Sequence, residues 1–396
     1  GRWRRGSGWI CVLGAGLPWL AGGAAPPAAP PAAPPPLVRE VRAIPPGRPA
    51  GPAAGPVWSI GDPTDEEQLL LELINRARAN PVAEASRLRS TPDGQLRQTY
   101  AYFQVDLDRF AADLGALPPQ PPLAFHPLLF GPARSHSQYQ LANAVQTHYQ
   151  GTESVLERVE GAGYPWQALG ENVYAYAEDP FQAHAGFEVD WGLFGPDGLP
   201  VAPGMQDPPG HRLSNHDAIF REVGIGWVTG RNTVATATAT NTVGPHVVTV
   251  VFAARPAAPP VVTGVAYFDF NTNGFYDLGE GVGGIEVEVP GAPWSARTSR
   301  SGGYAVPLAA GSWTATFRGP GLSPVTRPVA VTNDANAKLD LVLAYAPPSL
   351  AGPGQVLAGI TAEYAVSPVP GATELQWERS RRTAFATVLG AEAGQA

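Results

Sequence analysis

The chain has 396 residues, enough for two or three domains and at least one large core. Only 15% of them are charged, the formal net charge is -8, and no Lys/Arg-rich run follows the first few residues; this balance argues against nucleic acid as a partner. The single cysteine, Cys11, excludes a disulfide framework, so stability must come from packed cores or from bound ions.

Arg2, Arg4 and Arg5 precede an apolar stretch from Trp9 to Leu20 and a small-residue run at 21–25, the layout of an export signal over 1–25. The apolar stretch is short and glycine-rich, so no membrane span is expected after cleavage. Residues 26–57 are rich in Ala and Pro and read as an extended polyproline II tether.

Acids at Asp65, Glu66 and Glu67, followed by Leu69, Leu70, Leu73, Ile74 and Ala77, predict a first helix, broken or restarted at Asn80-Pro81 and continued through Leu88. Further helices are predicted over 96–114, 127–145, 154–162 and 181–191. The period then changes. Residues 223–229 and 246–253 read as strands and 233–242 alternates Thr, Ala and Val, so helices followed by an antiparallel meander predict an α+β layer structure closing near Arg255.

Residues 255–260 (Arg-Pro-Ala-Ala-Pro-Pro) form a short linker. Beyond it, short strands at 262–268, 285–289, 313–317 and 338–343 between glycine-containing turns predict a small all-β sandwich over 261–345. Residues 346–396 read as the opening of a further β-domain.

Two imidazoles, His148 and His211, and two carboxylates, Glu171 and Asp190, stand out among the ionisable residues, two of them beside glycine in the words Gly170-Glu171-Asn172 and Gly210-His211-Arg212. Gathered in one hollow they would suit Zn²⁺ or a similar divalent ion. They would equally suit an acid/base pair, or a buried network that only ties helix to sheet. No Ser stands in a nucleophile elbow, and Ser137 beside His136 reads as an ordinary helix pair. His136 reads as core packing, His126 as a loop residue, and His184 and His216 as solvated.

Leu71-Glu72-Leu73-Ile74-Asn75-Arg76-Ala77-Arg78, Gly170-Glu171-Asn172-Val173, Gly210-His211-Arg212 and Phe220-Arg221-Glu222-Val223-Gly224-Ile225-Gly226 together resemble the CAP superfamily of cysteine-rich secretory, antigen 5 and pathogenesis-related proteins. The resemblance covers residues 58–256 and implies an α-β-α sandwich with a cleft lined by two His and two acids. It carries over onto Glu171, His211 and the His148 that follows the long helix. Asp190 stands three residues after Phe187, where Trp followed by Glu is usual, and the family's cysteines are absent.

A second motif runs from Asp269 to Glu280. Oxygen-bearing side chains recur at Asp269, Asn271, Asn273, Asp277 and Glu280, Phe275 offers a carbonyl, and Gly274 sits at the sharp turn, the spacing of an EF-hand calcium loop. Its flanks are strand-like, and the combination resembles the calcium-stabilised, Ig-like B domains of bacterial surface adhesins. The resulting expectation is a secreted or cell-surface CAP-domain protein. Its cleft binds a divalent ion or a small, lipid-like or cell-envelope ligand, and a Ca²⁺-stabilised β-domain serves as spacer. A metal-dependent extracellular hydrolase and a surface adhesin are the alternatives.

Overall fold

The computed structural model describes residues 56–235, 240–320, 322–332 and 335–344, together with the strand pairings of Ile10–Cys11, Leu350–Ala351 and Ala365–Val366. Those pairings and residues 56–57 aside, the expected signal, tether and C-terminal β segment lie outside the described residues. Among the described residues no helix is long and apolar enough to cross a membrane.

A two-residue strand β1 (Ile10–Cys11) runs parallel to Leu169–Gly170, and β2 (Val57–Trp58) parallel to Ser295–Ala296. Helix α1 (Asp65–Ala79) opens on a capping box: the Thr64 hydroxyl accepts from the Glu67 amide, and the Glu67 carboxylate accepts from the Thr64 amide. Asn80 ends α1 and caps α2 (Pro81–Arg89), whose first residue is proline, as the Asn80-Pro81 restart predicts. The single helix expected over 96–114 is two, α3 (Gly94–Phe103) and α4 (Leu107–Gly115). Gln104 turns left-handed at φ 57° and ends α3, and Asp106 caps α4 by accepting from the Arg109 amide.

Then follow β3 (Ala124–Phe125), α5 (Pro127–Asn143), α6 (Val155–Gly161), β4 (Ala168–Ala177), α7 (Pro180–Val189), α8 (Gly210–His216), β5 (Glu222–Thr229), β6 (Asn232–Ala235), β7 (Thr240–Val243) and β8 (His246–Ala254). The main sheet has the order β1-β4-β8-β5-β3, with β4, β8 and β5 antiparallel. This is not the expected meander. β4 lies between helices in sequence and carries Glu171, Asn172 and two tyrosines, which blur the alternation that marks a strand.

The register defines two faces. Leu169 lies opposite Ala253 and Glu171 opposite Val251; on this face Leu169, Val251 and Ala253 pack with Leu129 and Ala133 of α5 and with Val155 and Val159 of α6. On the other face, Ala168, Val248, Val250 and Phe252 pack with Leu70, Leu71 and Ile74 of α1 and with Ala183 and Phe187 of α7. Helix α5 can lie directly on β5 because Gly224 and Gly226 have no side chain: a Cβ there would come within 2.3 and 2.5 Å of the Leu129 and Ala133 backbone.

Two residues of α1 tie the remote segments down. Asn75 exchanges hydrogen bonds with both backbone groups of Leu123, at 2.7 and 3.0 Å. Arg78, fully buried, donates to the carbonyls of Pro121, Asn215 and Asp217, fixing the end of α8.

The second lobe contains β9 (Val261–Phe268), β10 (Glu286–Glu288), β11 (Ser295–Arg297), β12 (Gly303–Pro307), β13 (Gly311–Gly319), β14 (Leu322–Val331), β15 (Ala337–Lys338) and β16 (Leu341–Leu343). One sheet has the order β14-β13-β10-β11-β2; the other has β12-β9-β15, with β16 also on β9. Val262, Ala266, Tyr304, Val306 and Leu341 of the second meet Val287, Ala315, Phe317 and Val331 of the first in a single core.

This lobe is not held away as a spacer. Val261 and Ala305 join the cluster around α1, and Leu69 and Leu73 pack with Val265, Tyr267 and Tyr276. Lys338 lies 2.8 Å from Glu72, and the Asn336 amide donates to the carbonyls of Pro122 and Arg221.

Candidate functional site

The four residues singled out by the sequence come together as two pairs. On the α5–α6 face of β4, His148 Nδ1 lies 3.0 Å from Glu171 Oε1. Arg158 of α6 holds the other oxygen of the same carboxylate through Nη2. His136 stands 3.9 Å from Glu171 Oε1 and bonds the Thr147 carbonyl through Nε2 at 2.7 Å. Burial pushes the His136 imidazole below its usual range, with Glu171 opposing.

On the α7–α8 side, Asp190 Oδ1 lies 2.7 Å from His211 Nδ1, and its Oδ2 accepts from the His211 amide at 3.0 Å. Asp190 ends α7 in the left-handed conformation, φ 57°, which turns its carboxylate back over the start of α8. Glu171 and Asn172 are consecutive on β4 and therefore leave it on opposite faces. The Asn172 amide donates to the His211 carbonyl and to Asn215, on the α8 side. The quartet is therefore divided across β4. Among the described residues no three His, Cys, Asp or Glu side chains stand close enough to hold a metal ion.

Sequence reasoning missed the partners that matter most. Arg158 gives no local sign of its role, since its target lies on another element. His184 and His216, expected in solvent, are buried. His216 Nε2 lies 2.9 Å from Glu188 Oε2, and His184 Nε2 3.1 Å from Glu84 Oε1. Burial works to raise the Glu188 carboxyl, but His216, His184 and Asn215 outweigh it and hold it below the usual carboxylate range. Glu84 is lowered likewise: His184 and Arg76 overcome its burial. His126 lies in the short connection before α5, as expected, but is buried there and caps the helix: its Nδ1 accepts from the Leu128 amide at 3.3 Å.

The predicted calcium loop joins β9 to β10. Asp269 accepts from the amides of Asn273 and Gly274, and Gly274 has φ 73°. Glu280, only 3% exposed, accepts from the amides of Phe270 and Asp277. Among the described residues none of Asp269, Asp277 and Glu280 is paired with a basic side chain. Asn271 and Asn273 both donate to Asp277 Oδ2 at 2.7 Å; a half-turn of either amide exchanges its nitrogen for an oxygen. The side-chain donors offered are oxygens, the chemistry Ca²⁺ takes, but among the described residues Asp269, Asp277 and Glu280 do not stand close enough together to hold an ion.

No protein-family model matches the chain, and no curated protein matches it in sequence. Among solved structures it is similar to an extracellular protein containing a SCP domain from Bacillus anthracis str. Ames, 19% identical over 40% of each chain, with a TM-score of 0.24. It is also similar to a mutant type II cohesin–X-dockerin complex from Acetivibrio cellulolyticus, 24% identical over 21% of this chain and 52% of that one, with a TM-score of 0.16. The chain spans well under two thirds of either.

Proposed function

We propose that this is an extracellular, CAP-like protein that binds a small ligand without turning it over, braced by a docked, calcium-stabilised Ig-like β-lobe. One observation carries the reading: the carboxylates of both His–acid pairs are already engaged by fixed partners. Glu171 sits between Arg158 and His148, and Asp190 takes two donors from His211. Neither is left as a base beside a nucleophile. Ser137, beside His136 in sequence, donates to the Gly226 carbonyl at 2.9 Å. Zinc shared by all four residues would need ligands from both sides of β4, which favours an organic ligand over a metal ion. The export-type N-terminal sequence supports the extracellular assignment.

The test pairs turnover with elemental analysis. The purified chain and His211→Ala are assayed on ester, peptide and phosphoester substrates, and bound zinc is measured in both. The expected result is no turnover and no stoichiometric zinc. Hydrolysis abolished by His211→Ala, or one zinc per chain lost in both His148→Ala and His211→Ala, replaces this reading with a metal-dependent hydrolase.

A further inference from the structure

A cleft of about 400 Å³ opens where α3, the end of β4 and the start of α7 meet, apart from both His–carboxylate pairs. We infer that it binds a neutral oligosaccharide. Aromatic rings and amides line it, with no basic side chain and one carboxylate, Glu178. Tyr174 and Tyr176, two apart on β4, sit with ring centroids 6.1 Å apart at an interplanar angle of 71°. From α3, Tyr102 stands against Phe103, 5.0 Å between centroids, and is 57% exposed, a large ring kept at the surface with no core to fill.

The polar groups are placed, not incidental. Gln182 is 7% exposed, yet its amide donates to the Tyr174 hydroxyl at 3.0 Å, and its oxygen accepts from the Glu178 amide at 3.2 Å. This fixes one amide at the base of the cleft, while the amides of Gln95 and Gln98 stand at its exposed rim. The rings rest on a rigid support: Phe103 stacks on Trp191 at 6.1 Å and 13°, and Tyr174 meets the same indole edge-on.

That chemistry selects its ligand. A tyrosine face carries negative quadrupole density and suits the weakly positive C–H face of a pyranose ring. Amides offer both donors and acceptors, as a row of hydroxyl groups requires. Without Lys, Arg or His in the lining, a phosphate or carboxylate would meet only Glu178 and is disfavoured. A lipid chain would have to desolvate the amides without replacing their hydrogen bonds.

The test uses the full chain with cellohexaose, chitohexaose and maltohexaose, read by saturation-transfer NMR and titration calorimetry. At least one hexasaccharide should bind with a millimolar or tighter Kd. Tyr102→Ala should weaken that binding by about tenfold with an unchanged melting curve, and Gln98→Ala by about threefold or more. Because both residues are exposed, neither change threatens folding. Absence of binding by all three sugars at about 10 mM overturns the proposal. So does equal affinity in Tyr102→Ala, or displacement of the sugar by palmitate at lower concentration. Turnover and zinc measurements at His211 are independent of these outcomes.

Discussion

Removing the Glu171 carboxylate should be costly. Glu171 and Arg158 are each 2% exposed in their side chains, and among the described residues Arg158 reaches otherwise only to the carbonyls of His148 and Glu153, both at 3.3 Å. Glu171→Ala therefore leaves a buried guanidinium with two long contacts and no counter-charge. Breaking a buried pair from one side costs about 3–5 kcal/mol. Glu171→Gln retains an acceptor but not the charge and should cost about 1–3 kcal/mol. The double change Glu171→Leu with Arg158→Met removes both charges and should recover most of the loss, because no orphaned ion remains. Equilibrium unfolding in urea, followed by far-UV circular dichroism, gives all three values. If Glu171→Ala lies within about 1 kcal/mol of the parent, the pair does not bind helix to sheet and the reasoning fails.

Acid should destabilise the protein before its carboxylates titrate. Burial pushes His126 from 6.5 down to about 4, so the unfolded chain binds the extra proton first and stability falls as pH drops below 6.5. Between pH 7 and 5 this amounts to about 2 kcal/mol, to which His136 adds in the same sense. His126→Asn keeps a cap acceptor and should flatten that part of the urea-midpoint profile; an unchanged slope refutes the assignment. Calcium should raise the thermal stability of the full chain, by about 2.7 kcal/mol at one hundred times its Kd, and EDTA should reverse it. Identical melting curves with and without millimolar calcium would remove the ion from the description. Gly303→Ala would place a Cβ 2.0 Å from Gln68 Oε1 at the junction of the lobes. It should cost about 1–3 kcal/mol and speed proteolysis within 255–260; unaltered cleavage argues that the lobes are not clamped there.

Much of this was legible locally. The acidic start of α1, the Asn80-Pro81 restart and the long helix after Pro127 follow from capping chemistry and apolar spacing, which act over a few residues. The Asp269–Glu280 loop is likewise written in consecutive positions, with glycine at the one place where the turn requires it. Local reasoning stopped where partners lie far apart in the chain. β4 pairs with β8, some eighty residues later, and its polar residues hid it as a strand. Which carboxylate met which imidazole depended on that pairing.

The sequence by itself determined which groups were available: two imidazoles, two acids and an oxygen-rich loop. The tertiary structure alone decided how they are shared out. Adjacent residues on a strand face opposite ways, so Glu171 joined Arg158 and His148 on one side of β4 while Asn172 bound the His211 segment on the other. It also docked the second lobe on α1. Leu69 and Leu73 are kept from water by Val265, Tyr267 and Tyr276 of the second lobe, a burial that no local pattern records.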